Sequence, residues 1–223
     1  MSRLGAVTFS LGACLLTAAA LPGLAVGVLA DPWQGGMFLG GALTARALRD
    51  SIRRMRFFNA FAHELSHTLV ALITRGRVTQ FYATDTRGGH MQHAGGARLP
   101  IVIAPYVLPI GALVLVAALL IVGLTPNRLA AAALGLACGF HVVRMLDDIA
   151  ACQSRHWQGT DFAFFGPQPT LAIIVGVNAL ILSTLLAFAL GGAAGIAHFW
   201  TGAGTHALQG LASLRALVPG LPA

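Results

Sequence analysis

The chain has 223 residues, of which 57% are hydrophobic and only 9% charged, with a mean hydropathy of +0.77, whereas a soluble domain carries charge on about a quarter of its residues. So little polar material cannot cover a globule in water, and a freely soluble fold is excluded. The net charge of +7 comes from fourteen Arg, no Lys, six Asp and one Glu. Five of those arginines (Arg46, Arg49, Arg53, Arg54 and Arg56) crowd between two apolar segments, the pattern of a cytoplasmic loop rather than of a nucleic-acid surface. A helix crosses the hydrocarbon with roughly 20 apolar residues, and the apolar runs suffice for about five or six such spans.

In chain order, residues 6–30 form a long apolar run after Arg3. It is read as a retained first span, with a cleaved signal peptide as the alternative. A Gly-rich stretch from Trp33 to Ala47 follows, whose Gly35, Gly36, Gly40 and Gly41 would permit close helix contact. The next helix, over about 57–74, is apolar except for Asn59 and the group His63, Glu64, Ser66 and His67. Residues 76–96 change character: Val78-Thr79-Gln80-Phe81-Tyr82 has strand propensity, Asp85 to Gly89 offers turn residues, and His90 to His93 returns, which predicts a β-hairpin.

A span over about 100–124 is interrupted by Pro105 and Pro109, implying a kink. The helix over about 129–151 carries unusual polar content in His141, Arg144, Asp147 and Asp148. A last span is expected over about 170–190, and the tail from 191 to 223 holds a short amphipathic piece, His206 to Val218, suited to a membrane surface. No internal repeat of the transporter kind is present in the sequence. The expected fold is a single all-α membrane helix bundle, residues 1–223, with a small β-hairpin after the helix at 57–74. Cys14, Cys138 and Cys152 show no CxxC spacing and are expected to pack as small apolar residues.

The chemistry lies in His63-Glu64-Leu65-Ser66-His67. Residues four apart stand on one face of a helix, so both imidazoles can turn to one metal ion, and Glu64 is placed to take a proton from the water that the ion activates. With eight His and one Glu in the chain, a chance HExxH match has odds of about one in a thousand. Ionisable groups in the hydrocarbon cost at least about 2.5 kcal/mol each, so three within five positions require a reason. The arrangement suits zinc-assisted amide hydrolysis.

Ala62-His63-Glu64-Leu65-Ser66-His67-Thr68-Leu69, followed by Gly76-Arg77-Val78, resembles the site-2-protease type of intramembrane zinc metallopeptidase. Ala104-Pro105-Tyr106-Val107-Leu108-Pro109 is similar to a small bacterial branch of it. The resemblance covers roughly residues 50–170 and implies a Zn2+ cofactor, ligands His63 and His67, Glu64 as the catalytic group, a β-hairpin after the motif helix and a third ligand on a later helix. That third ligand does not carry over. The family's Asn-Pro-containing Leu-Asp-Gly element is absent, and Leu146-Asp147-Asp148 is a partial echo.

Depth ranks the candidates. With the motif helix starting near Phe57, His67 lies about 15 Å into the membrane, and His141, on a helix starting near 129 and running parallel to it, about 18 Å. His141 is therefore first, Asp148 second, and Asp161, at the opposite interface unless its loop re-enters, third. For His141 the alternative is a satisfied polar residue bonded to Ser, Asn or a carbonyl within the bundle; for Asp147 and Asp148 it is pairing with Arg144 or Arg155. His90 and His93 are expected to decorate the hairpin, and His156, His198 and His206 to lie in loops or the tail.

The expected function is cleavage of a membrane-anchored protein in the lipid bilayer of a bacterial inner membrane, with no nucleic-acid partner. A hairpin edge would receive the extended substrate. Two alternatives stand: a haem protein with histidines from two helices on the iron, and a catalytically silent membrane scaffold of the same family.

Overall fold

The computed structural model describes Gly12, Ala18, Leu21 and residues 24–86, 88–157, 161–163 and 166–217. The expectation for residues 6–30 lies largely outside these, although 24–30 are helical. At Asp31 the chain breaks and restarts: the Asp31 carboxylate accepts from the Gln34 backbone N–H at 3.0 Å and proline occupies the first helical turn, a normal N-terminal cap for helix α1, Pro32–Ala47. A short α2, Arg49–Arg54, carries part of the arginine cluster and leads into the motif helix α3, Arg56–Ile73. Strands β1, Arg77–Thr84, and β2, Gly88–Ala94, form the expected hairpin, antiparallel from the Arg77–Ala94 pair to the Thr84–Gly88 pair.

The span expected over 100–124 is two helices, α4 at Arg98–Val107 and α5 at Ile110–Val122, bent by 85°. Pro109 has no N–H to continue the ladder, and Ile110 donates to the Leu108 carbonyl instead of reaching back to Tyr106. Helix α6, Arg128–Ser154, is capped by the Asn127 side chain, which accepts from the Ala130 N–H at 2.9 Å. A 3-10 turn, Asp161–Ala163, precedes α7, Pro167–Leu217, which is broken at Gly191–Gly192. The buried Gln34 side chain donates to the Pro126 and Ala189 carbonyls at 2.9 and 2.5 Å, serving a polar group just before that break. The helix continues through the expected amphipathic piece to Leu217, whose side chains beyond 209 lie outside the described residues.

Among the described residues, α6 and α7 are long and apolar enough to cross a membrane, and the bent α4–α5 pair makes a third if it counts as one span. Helix α1 has 16 residues, and α3 is diluted by Arg56, Asn59, two histidines and Glu64. The outside of the bundle is apolar: Ile121 is 85% exposed, Ile73 78% and Leu129 75%. The polar groups Glu64, Ser66, His67, His141, Thr170 and Asn178 are buried, the distribution a bilayer selects.

Helices α1 and α6 meet backbone to backbone. A Cβ on Gly41 would strike the Ala132 carbonyl, and one on Gly135 the Phe38 carbonyl. Of the four glycines expected to allow close contact, Gly41 faces α6 and Gly35 faces the Val28 side chain, whereas Gly36 and Gly40 face open space. The partners on α6, Gly135 and Gly139, are a small-residue pair four apart that reading α1 alone does not reveal.

Candidate metal centre

Helix α3 turns His63 and His67 to one side, their rings 5.0 Å apart. Each ring is held through Nδ1. His67 Nδ1 lies 2.6 Å from the Ile101 carbonyl, which can only accept, so the proton is on Nδ1 and the Nε2 lone pair is free. His63 Nδ1 lies 3.3 Å from Asp148 Oδ2, which also accepts from Arg144 Nη2 at 2.9 Å. A carboxylate or carbonyl behind a ligating imidazole fixes its tautomer and direction.

The Nε2 atoms converge on Asp161. Its Oδ2 is 3.8 Å from His63 Nε2 and 3.7 Å from His67 Nε2. One ligand atom from each of the three residues lies within 4.8 Å of the others. A tetrahedral zinc site with bonds near 2.1 Å separates its donors by roughly 3.4 Å, so small side-chain adjustments suffice, and three donors leave one position open. Two neutral imidazoles and a carboxylate are a donor set that zinc takes in hydrolases.

The chain reaches this arrangement by folding back after α6. His156 and Trp157 both have positive φ, 51° and 64°, a costly pair for non-glycine residues that persists only where packing over-determines it. Here the Trp157 ring packs 4.8 Å from that of Phe162, which is fully buried beside Asp161. Asp161, ranked third, is thus the carboxylate that stands beside the two imidazoles.

His141 stands elsewhere. Its Nε2 lies 3.0 Å from Asn178 Oδ1 in the bundle core, which realises the alternative of a satisfied polar residue. The depth count behind its first rank took 100–124 as one straight crossing, whereas the structure bends that segment by 85°. Asp148, ranked second, stands behind His63 rather than beside the three donors. Asp147 pairs with Arg49 and Arg53 at 2.5 and 2.8 Å, partners the sequence reading did not name.

Glu64 is buried and lines an open cavity of about 790 Å3 together with the three donor residues. Strand β2 forms one wall: His90, Met91 and His93 face this cavity rather than merely decorating the hairpin. At Gly89 the strand presses on the carboxylate, since a Cβ there would lie 2.5 Å from Glu64 Cγ. Ser66 bonds back to the Ala62 carbonyl at 2.8 Å and is satisfied within its own helix. Sequence reading missed Gly89, Tyr106 and Asn178. Of these, only Tyr106 carried a signal, inside the Ala104–Pro109 stretch quoted for the resemblance.

Comparison with curated proteins and with solved structures gives no match. Residues 40–147 match the family model described as Peptidase M50B-like. That segment holds α3, the hairpin, the bent pair and most of α6, while Asp148, Asp161 and Asn178 lie beyond it. Over residues 40–147, then, this chain is similar to the Peptidase M50B-like proteins of the site-2 protease family.

Proposed function

We propose that the protein is a zinc-dependent intramembrane endopeptidase that cleaves a membrane-anchored protein, with His63, His67 and Asp161 holding the ion and Glu64 as general base. The observation that carries this reading is the convergence of one ligand atom each from His63, His67 and Asp161 within 4.8 Å of one another, on the wall of the cavity that Glu64 also lines. Bound zinc supplies Lewis acidity toward a scissile carbonyl and a water nucleophile near neutral pH.

The chain's own residues do the rest. Glu64 Oε1 takes a proton from the attacking water and delivers it to the leaving amine, a task suited to a carboxylate confined beneath β2. The carboxylate of Asp148 and the Ile101 carbonyl keep both imidazoles in the tautomer that offers Nε2. Strand β2 borders the cavity, so a substrate segment unwound from its helix has a backbone edge to pair with beside Glu64. We read five to six crossings, with the arginine cluster on the cytoplasmic side of a bacterial inner membrane.

The haem alternative is not favoured. His67 faces Asp161 and a histidine of its own helix, and His141 Nε2 is bonded to Asn178. The test is Glu64→Gln in the full-length protein, followed on a membrane-anchored substrate. Cleavage should fall by about 10²–10⁴-fold while zinc remains at one ion per chain; undiminished cleavage removes Glu64 as the base. Wild type that holds zinc but turns over no substrate supports the silent-scaffold reading instead.

A further inference from the structure

Asp161 sits on a three-residue 3-10 turn and its side chain is a quarter exposed, so neither a long helix nor dense burial holds its carboxylate in place. Among the described residues, one neutral side-chain donor bonds it. The Tyr106 hydroxyl donates to Asp161 Oδ2 at 3.1 Å, the same oxygen that lies 3.7–3.8 Å from the two imidazoles. Its other neighbour is the Cys152 thiol at 3.7 Å, a weak partner.

Tyr106 is itself anchored at both ends. It is 2% exposed, and its ring stands edge-on to those of His63 and Phe162, 5.8 and 5.1 Å away. Its carbonyl loses its helical donor at the α4–α5 break, because Ile110 N–H turns to Leu108. Asn178 Nδ2, from α7, takes that carbonyl at 2.7 Å and also reaches the Ile174 carbonyl at 2.9 Å, while Asn178 Oδ1 is bonded to His141 Nε2 at 3.0 Å. A chain of bonds runs from α6 through α7 to the broken helix and ends on the carboxylate.

We propose that Tyr106 is the positioning residue for the third metal donor, and that the His141–Asn178 pair fixes Tyr106 in turn. This rests on the reading of His63, His67 and Asp161 as a metal centre. It gives the helix break a purpose: the freed carbonyl is the handle by which α7 sets the tyrosine. It also gives buried His141 a role other than ligation.

The experiment is zinc titration of the full-length, detergent-solubilised protein against a competing chelator, for wild type, Tyr106→Phe and Asp161→Asn, with cobalt absorption spectra of each. Losing a group that only orients a ligand typically weakens metal binding about 10–100-fold. Tyr106→Phe should show that loss, and its cobalt spectrum should move toward that of Asp161→Asn, while thermal unfolding of the metal-free protein shows the fold intact. An affinity within about twofold of wild type with an unchanged cobalt spectrum overturns the proposal and leaves the metal centre standing. Wild type that takes up no zinc overturns both. Should Tyr106→Phe not accumulate, Asn178→Leu, which keeps the hydroxyl but frees the carbonyl, should weaken zinc by at least about fivefold with the same spectral change; unchanged affinity there also overturns it.

Discussion

The bundle holds histidine, buried or half-buried, in two places, and the two are chemically opposite. At the cavity, His63 and His67 spend Nδ1 on a carboxylate and a carbonyl and leave Nε2 facing Asp161. In the core, the Nδ2 group of Asn178 donates to the Tyr106 and Ile174 carbonyls, so its Oδ1 is the end that faces His141 Nε2, which must therefore carry the proton. Both environments satisfy an imidazole, but only the first leaves a lone pair with converging neighbours and access to a cavity. A buried histidine in a membrane helix becomes a candidate ligand through what its other nitrogen is bonded to, and depth alone does not decide it.

Exchanging the two sites for alanine gives the largest contrast. His67→Ala should weaken zinc more than about 100-fold, beyond the loss expected of a merely orienting group, and reduce metal in the purified protein from one ion per chain to near none. His141→Ala should still purify with zinc, its affinity weakened by at most about 100-fold, as expected of a residue that acts only through Asn178 and Tyr106. It should also lose about 1–3 kcal/mol of stability, because Asn178 Oδ1 is left buried without a donor. Metal analysis beside thermal unfolding reads both. Loss of zinc from His141→Ala with retention in His67→Ala would reverse the assignment.

A second contrast sharpens how the two sites are held. The cavity is braced by polar bonds, whereas the α1–α6 seam that sets the position of α6 relies on the absence of side chains at Gly41, Gly135 and Gly139. Gly135→Ala adds one methyl against the Phe38 carbonyl and should cost about 1–3 kcal/mol. Gly36→Ala adds the same methyl into open space and should stabilise α1 by up to about 1 kcal/mol. Melting temperatures moving in the same direction for both variants would show that the seam is not tightly packed.

The sequence discloses whatever is local. HExxH spacing on one helix, the hairpin from Val78–Tyr82 and its turn residues, and the kink at Pro109 each depend on neighbours a few positions apart, and each has its counterpart in the structure, whereas Pro105 sits inside α4. Part of what stayed hidden is how far the kink turns. An 85° bend between α4 and α5 is not encoded in two prolines. The position of Asp161 was hidden for a different reason: two consecutive left-handed residues, His156 and Trp157, precede it, and neither residue type announces that conformation. Gly135 was overlooked because a glycine inside an Ala-rich helix has no meaning until the facing helix is known.

Neighbouring aspartates give the smallest predicted effect. Asp147 and Asp148 look alike in the sequence as partners for arginine, yet one helical step turns them to different tasks. Asp148 holds His63 with Arg144 behind it, while Asp147 ties α6 to α2 through Arg49 and Arg53. The Arg49 side chain is 35% exposed, so water and salt screen its bond, and Arg53 retains two contacts of 2.8 Å with the same carboxylate. Arg49→Ala should therefore cost about 1 kcal/mol or less, and less still at high salt, with zinc affinity unchanged. A measurable loss of zinc in that variant would mean that the arginine loop and the metal centre are coupled through α6, and the separation of the two aspartates would fail.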